Sequence, residues 1–286
     1  MSLSEPRPVT HLGPGALSGE GDRRPWSSEG RPAATVEQVL AVAHRGASAR
    51  APENTLAAVR LAADLGADAV EVDLQRTRDG ALVLLHDAGL GRTTDAATRL
   101  RGRGPWSVGS LTLAEVRRLD AGSWKSPEFA GEAVPTLAET LAVVGARAGL
   151  RLLVELKLPE RHPGIVADLA AELTRAHATG VVDLSRVVVQ SFDVAAVKEL
   201  KARCPRLVVG VLGLPPREHL PALGTWAGQV NPHHAALDAG YVEAVHANGM
   251  RCLTWTVDHR FAMRRALRAG VDGVITNRPD VFLRQR

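Results

Sequence analysis

Two histidines and three carboxylates of this 286-residue chain stand where acid–base and metal chemistry can be done. His44 and Arg45 follow the apolar run Val39-Leu40-Ala41-Val42-Ala43, and His86 closes the run that begins at Ala81. Glu71 and Asp73 lie within Ala69-Val70-Glu71-Val72-Asp73-Leu74, and Glu155 stands near the end of Leu152-Leu153-Val154-Glu155-Leu156-Lys157. Residues two apart on a strand share a face, so Glu71 and Asp73 point the same way. Three carboxylates brought together repel unless a cation joins them, and oxygen-only ligands favour Mg²⁺ or Ca²⁺ over zinc. Salt bridging to Arg45 and Lys157 is the competing reading for any one acid. For all three at successive strand ends a metal is the better account, because buried acids are costly without a partner.

His44 and His86 end two different strands. Two histidines beside one carboxylate cluster make a pair suited to phosphodiester cleavage: one takes a proton from the attacking hydroxyl, the other gives one to the leaving oxygen. Arg45 and Lys157 supply cations for phosphate oxygens, the guanidinium doing so bidentately. His11, His162, His219, His233, His234, His246 and His259 read as structural or surface residues. His233 and His234 are adjacent on one element and are expected to point apart.

The elements that must position these groups alternate between strand and helix from Val39 onward. Continuous apolar runs are what strands buried on both faces of a parallel sheet look like. Strand and helix pairs follow at 151–156 with 165–176, and 187–190 with 194–202. Strands at 207–212, 228–231, 252–257 and 273–276 come with helices at 241–247 and 261–269. A helix over 56–65 is capped by Asn54 and stopped by Gly66, and another opens at Pro135-Thr136-Leu137. This many units without a Gly-x-Gly-x-x-Gly turn favour an eight-stranded α/β barrel of TIM type over a doubly wound sheet. Leu82–His86 is then one strand too many, and it follows Asp73 too closely for a crossover helix. Asp79-Gly80 between two alternating runs signals a hairpin instead. A two-residue loop there sets Arg78 against Ala81 and Asp73 opposite His86, on one face with Glu71. Residues 88–135 break the rhythm and read as a small inserted subdomain, with a short helix over 113–119, shaping access to the barrel mouth.

Residues 1–35, rich in Pro, Gly and Ser, read as a flexible tail, which leaves 36–286 as the barrel domain. Hydrophobic residues make up 45% and mean hydropathy is -0.04, as for a water-soluble domain with one substantial core. No apolar run approaches the roughly 18–20 residues that span a bilayer, so stable membrane insertion is not expected. The start of the chain shows no secretory signal pattern, and Cys204 and Cys252 are too few for a disulfide framework, which makes a cytoplasmic location the expectation. The net charge of +4 raises nucleic acid as a partner, but 3% aromatic residues leave little material for base stacking, and no nucleic-acid partner is expected. No oligomeric state is specified by these features.

The ordered set His44-Arg45-Gly46, Pro52-Glu53-Asn54-Thr55, Glu71-x-Asp73, His86-Asp87 and Arg92-Thr93-Thr94 resembles the glycerophosphodiester phosphodiesterases. Leu119-Asp120-Ala121-Gly122, Glu155-Leu156-Lys157, Gln190-Ser191-Phe192, Trp255-Thr256-Val257 and Gly273-Val274-Ile275-Thr276 extend the likeness to Pro279. The resemblance implies a distorted (β/α)8 barrel with an inserted subdomain. It implies hydrolysis of small glycerophosphodiesters to sn-glycerol 3-phosphate and an alcohol with a divalent cation, through a cyclic phosphate. It makes Glu71, Asp73 and Glu155 the metal ligands, His44 and His86 the acid–base pair, and Arg45 and Lys157 the phosphate contacts. Phe192 and Trp255 become candidates for the wall against the glycerol or alcohol group. Asp258 and Asn277 depart from the family pattern, which has asparagine and aspartate there. Two other activities fit the same residues: a lysophospholipase D or sphingomyelinase D-like action on lipids, and non-catalytic binding of a phosphate ligand.

Overall fold

The structure, a computed structural model, describes residues 38–286, so the tail read over residues 1–35 lies outside the described residues. Nine strands form one sheet: β1 (Leu40–His44), β2 (Ala69–Arg76), β3 (Leu82–Leu84), β4 (Arg151–Leu156), β5 (Val187–Ser191), β6 (Val208–Leu212), β7 (Gln229–Asn231), β8 (Arg251–Thr254) and β9 (Gly273–Thr276). Eight of them run parallel, and β1 pairs with both β2 and β9, which closes the barrel. β3 is the exception: it pairs antiparallel with the far end of β2, outside the closed ring. Helices at Leu56–Asp64, Leu137–Gly145, Ile165–Ala178, Val194–Arg203, Ala239–Ala247 and Arg260–Arg268 cover the outside.

Strand parity explains how the barrel is filled. Leu40, Val42, Ala69, Leu153, Val188, Leu253 and Ile275 form one buried cluster contributed by six strands. Two residues further along the same strands stand His44, Glu71, Glu155 and Gln190, with Asp73 two beyond Glu71. The interior is therefore apolar at its N-terminal end and polar at the end where barrel functional groups gather.

The inserted region has a core of its own, built by Val83, Leu85, Leu90, Ala96, Val108, Leu111, Val116, Leu119, Ala121 and Val134. Its helices are short, at Ala96–Arg99 and Leu113–Val116, the second ending three residues before the expected Leu119.

The hairpin register differs from the expectation by one residue. Leu74 pairs with Leu84 and Arg76 with Leu82, and Thr77 N donates to Ala81 O at 2.9 Å. The loop is thus three residues long, Arg78-Asp79-Gly80, with Gly80 at φ +89° supplying the left-handed turn residue. Asp79 accepts from Thr77 Oγ1 at 2.7 Å and from the amide of Leu113 at 2.9 Å, so its carboxylate is held by the insertion. Asp73 consequently faces Leu85, not His86. No helix among the described residues is long and apolar enough to cross a membrane.

Candidate active site

The turn after β1 is shaped to aim backbone at the acids. Arg45 sits at φ +56° and Gly46 at φ +81°, and this puts the Arg45 amide 2.9 Å from Glu71 Oε2. A side chain at Gly46 would meet the Ala58 backbone at 2.6 Å, so the loop packs there only with glycine. Asn54 does not cap the helix over Leu56–Asp64; Thr55 does, accepting from Ala58 N. Asn54 instead reaches across at φ +56°, donating from Nδ2 to Asp73 Oδ2 at 2.8 Å and accepting from the Asp73 amide at 3.0 Å. Both residues are cap formers by type, and the contact with Asp73 decides which one caps.

Glu71, Asp73 and Glu155 each present an oxygen within 4.8 Å of the others. Glu71 and Asp73 are fully buried, and Glu155 is nearly so. Arg45 Nε lies 3.1 Å from Asp73, and Lys157 Nζ lies 2.7 Å from Glu155 and 3.7 Å from Asp73. Even so, Glu71 Oε1 and Asp73 Oδ1 are buried with no hydrogen-bond partner. Burial, reinforced by Asp73, pushes the Glu155 carboxyl up to about 7 against the pull of Lys157. Burial and the charges of Asp73 and Glu155 raise Glu71 well above the usual carboxylate range. Arg45 and Lys157 are disfavoured by burial, but the surrounding carboxylates outweigh it and raise both. The partnerless oxygens of Glu71 and Asp73, together with the resistance of Glu71 and Glu155 to ionisation, are what an oxygen-ligated divalent cation would correct.

His44 ends β1, with Nδ1 2.7 Å from Asn277 Oδ1 and Nε2 3.9 Å from Glu71. Burial, with Arg45 beside it, lowers its pKa and favours the neutral ring. His86 arrives by another route than cross-strand pairing. Gln75, two residues beyond Asp73 on β2, donates Nε2 to the carbonyls of Leu85 at 2.8 Å and Asp87 at 2.6 Å, clamping the chain around His86. His162 is structural, as its buried ring lies 3.2 Å from Gln75 Oε1. His86 Nδ1 donates to Asp87 Oδ1 at 2.7 Å. Asp87 also accepts from Arg92, which holds its carboxyl down at about 2, and Arg92 in turn bonds Glu53, the partner of Arg45.

Both histidines open onto one cavity of about 240 Å³, lined also by Arg45, Glu71, Glu155, Lys157, Gln190, Phe192, Leu212, Trp255 and Ile275. That volume is below the roughly 300–1,000 Å³ of drug-sized ligand pockets, as suits a small polar substrate. Phe192 meets Trp255 edge-on at 5.7 Å, and Trp255 Nε1 is anchored on Asn231 O at 2.8 Å. His233 and His234 do not point apart as expected. They sit at a turn, where their rings lie 4.6 Å from each other and His233 packs on Trp255 at 5.0 Å.

The profile of the "Glycerophosphoryl diester phosphodiesterase family" matches residues 44–281. The chain belongs to that family. It is 35% identical to the glycerophosphodiester phosphodiesterase of Caldanaerobacter subterraneus, over 86% of this chain and 97% of that protein. A probable glycerophosphodiester phosphodiesterase of Mycobacterium tuberculosis is 36% identical over 85% of this chain and 93% of its own length. Among solved structures, a phosphodiesterase of Oleispira antarctica in complex with its product sn-glycerol 3-phosphate superposes with a TM-score of 0.74. It is 31% identical and covers 84% of this chain and 94% of that one.

The chain is thus a phosphoric diester hydrolase of the glycerophosphodiester phosphodiesterase class. Of the residues singled out by sequence, His44, Arg45, Glu71, His86, Glu155, Lys157, Phe192 and Trp255 all line one cavity, and Asp73 lies beneath it. Sequence reasoning did not reach Asn54, Gln75, Asp87 or Arg92 as builders of the site. A Glu-Asn pair just before a helix cap, and an Asp directly after His86, are the signals that point to Asn54 and Asp87; Gln75 and Arg92 carry no comparable signal.

Proposed function

We propose that this enzyme hydrolyses small glycerophosphodiesters to sn-glycerol 3-phosphate and an alcohol, with His44 as base and His86 as acid in the first step. Glu71, Asp73 and Glu155 would hold the divalent cation, and an all-oxygen donor set suits Mg²⁺ or Ca²⁺. When bound, the cation supplies charge stabilisation for the hydroxyl and the phosphate. His44 Nε2 takes the proton of the substrate's free glycerol hydroxyl as that oxygen bonds to phosphorus. His86 gives a proton to the departing alcohol oxygen as its bond to phosphorus breaks. The cyclic phosphate left behind is opened by water, with the two histidines exchanging roles. Arg45 and Lys157 bind the phosphate oxygens, and Phe192 and Trp255 flank the alcohol.

The observation that carries this reading is that each histidine is tied through Nδ1, which leaves Nε2 for the substrate, and that the ties differ. His44 is backed by the neutral amide of Asn277 and His86 by the carboxylate of Asp87. A ring that must start empty suits a neutral partner, and a ring that must start loaded suits an ionised one. We take residues 36–286 as the catalytic domain, with no nucleic-acid partner. We place it in the cytoplasm, in keeping with two free, buried cysteines.

The test is release of glycerol 3-phosphate from glycerophosphocholine. It should require Mg²⁺ or Ca²⁺, stop with EDTA, and fall by about 10²–10⁴-fold in folded His44→Ala and His86→Ala proteins. Full activity in either variant would refute the assignment. One observation favours a second reading, a lysophospholipase D-like action: Phe192 is 54% exposed and Leu214, just past the cavity-lining Leu212, is 45% exposed. Equal or better turnover of lysophosphatidylcholine would select it.

A further inference from the structure

Beyond the acid–base pair stands a second tier of groups that determines which nitrogen of His44 carries the proton. Asn277, just past β9, is bonded on every polar atom of its side chain. Its Oδ1 lies 2.7 Å from His44 Nδ1 and accepts from Ser48 Oγ at 2.7 Å. Its Nδ2 donates to Asp258 Oδ2 at 2.6 Å. Asp258 also accepts from the Asn277 amide at 2.8 Å and from Thr276 Oγ1 at 3.1 Å, so three donors converge on one carboxylate.

An asparagine side chain can be turned end for end with little change of shape, so its orientation must be settled by its partners. A carboxylate can only accept. Asn277 must therefore turn its NH₂ toward Asp258, which turns its oxygen toward His44. An oxygen can only accept from the ring, so His44 Nδ1 must carry hydrogen, and in the neutral ring Nε2 is left with its lone pair. That nitrogen is the one 3.9 Å from Glu71, on the cavity side.

We infer that Asp258 and Asn277 are positioning residues that fix the tautomer of His44, with Asp258 acting at one remove through the amide. The inference rests on His44 being the base of the proposed reaction, but the tautomer itself can be read without any reaction. Replacing Asp258 by Asn leaves one acceptor oxygen, held by the Asn277 backbone N–H and Thr276 Oγ1, and turns an NH₂ in place of the second oxygen toward the Asn277 side chain. The amide is then free to present NH₂ to the ring, which turns the lone pair to Nδ1 and the proton to Nε2. Transposing the pair, in D258N/N277D, puts the carboxylate directly against Nδ1–H and lets the new amide at 258 donate to it.

The experiment has two arms. Long-range ¹H–¹⁵N NMR of the cation-free protein, at alkaline pH where the ring is neutral, reads the tautomer, with His44 assigned by the signal lost in His44→Gln. Protonation at Nδ1 is expected in the wild type, and protonation at Nε2 there overturns the inference with no variant needed. In steady-state kinetics, D258N should lose about 10–100-fold in kcat with KM nearly unchanged. D258N/N277D should recover most of that loss together with the Nδ1–H signature. Wild-type activity and tautomer in D258N overturn the inference. So does a loss that the transposed pair fails to rescue while the tautomer stays unchanged, since that marks a purely structural role. If the wild type releases no glycerol 3-phosphate, the proposed reaction fails, while the NMR arm still decides the tautomer.

Discussion

Replacing Glu155 by Gln should stabilise the cation-free protein at alkaline pH, although the residue is buried at the heart of the site. A carboxyl ordinarily near 4.5 is pushed up to about 7 here by burial and Asp73, so ionising it costs free energy in the folded chain and not in the unfolded one. At about 1.4 kcal/mol per pH unit, the difference is roughly 3 kcal/mol. The folded state binds this proton more tightly than the unfolded state. Stability from this group is therefore complete below about pH 4.5 and is lost as pH rises through about 7. Glutamine has no such slope. In EDTA at about pH 8, E155Q should melt about 6–12 °C above the wild type, the equivalent of roughly 3 kcal/mol in a domain of this size, while near pH 5 the two should converge. Glu71, also raised, adds a slope of the same sign, and His44, lowered, adds the opposite one below its ordinary 6.5. Both groups are present in both proteins, but the Glu155 charge is one of the causes that raise Glu71, so E155Q relaxes that slope as well, and the difference between the melts reports Glu155 together with its effect on Glu71. Adding Mg²⁺ or Ca²⁺ should reverse the order by stabilising the wild type far more than the variant. Calorimetry across pH, with and without cation, makes the measurement. An E155Q protein less stable than the wild type in EDTA at alkaline pH, or a wild-type melt indifferent to both cations, would refute the reasoning.

Two further substitutions separate the parts of the site. Gln75→Leu removes the clamp on the Leu85 and Asp87 carbonyls but touches no carboxylate of the cluster. It should cost at least about tenfold in kcat while leaving the cation-induced rise in melting temperature intact. Asn54→Asp places a carboxylate where an amide now donates to Asp73. It should destabilise the cation-free fold by about 1–3 kcal/mol in urea titrations and weaken activity along with it.

The barrel was legible because its strands announce themselves: β4 and β9 fall where continuous apolar runs placed them, at Arg151–Leu156 and Gly273–Thr276. The acidic face was legible for the same reason, since a period of two carries Ala69 to Glu71 to Asp73 along one side of β2. What was not legible depended on contacts distant in sequence. Asp79-Gly80 is compatible with a two- or a three-residue loop, and the amide of Leu113, 34 residues on, holds Asp79 in the longer one. His86 reaches the cavity because Gln75 grips its neighbours' carbonyls, a bond that no cross-strand count contains. Asn54 and Thr55 are both caps by type, and only the fold shows that one of them is needed 19 residues away at Asp73.

The salt bridges to the acidic cluster are present, and they leave room for the metal reading. Arg45 and Lys157 do pair with Asp73 and Glu155, yet Glu71 Oε1 and Asp73 Oδ1 still lack partners. Three carboxylates against two fixed cations leave one negative charge in excess, in a place where burial makes charge expensive. The cation-free protein meets this by holding carboxyl protons beyond their usual range, as Glu155 and Glu71 do. A divalent cation, bound as proposed, would displace the need for those protons and turn the excess into a single positive charge. A phosphodiester carries a single negative one. Substrate and cation together would therefore bring the buried site to neutrality, while either alone would leave it charged, and this would favour binding of the substrate to the cation-loaded enzyme over the empty one. The same count explains why two fixed cations suit this cluster: a third would neutralise the acids outright and leave a divalent ion nothing to balance.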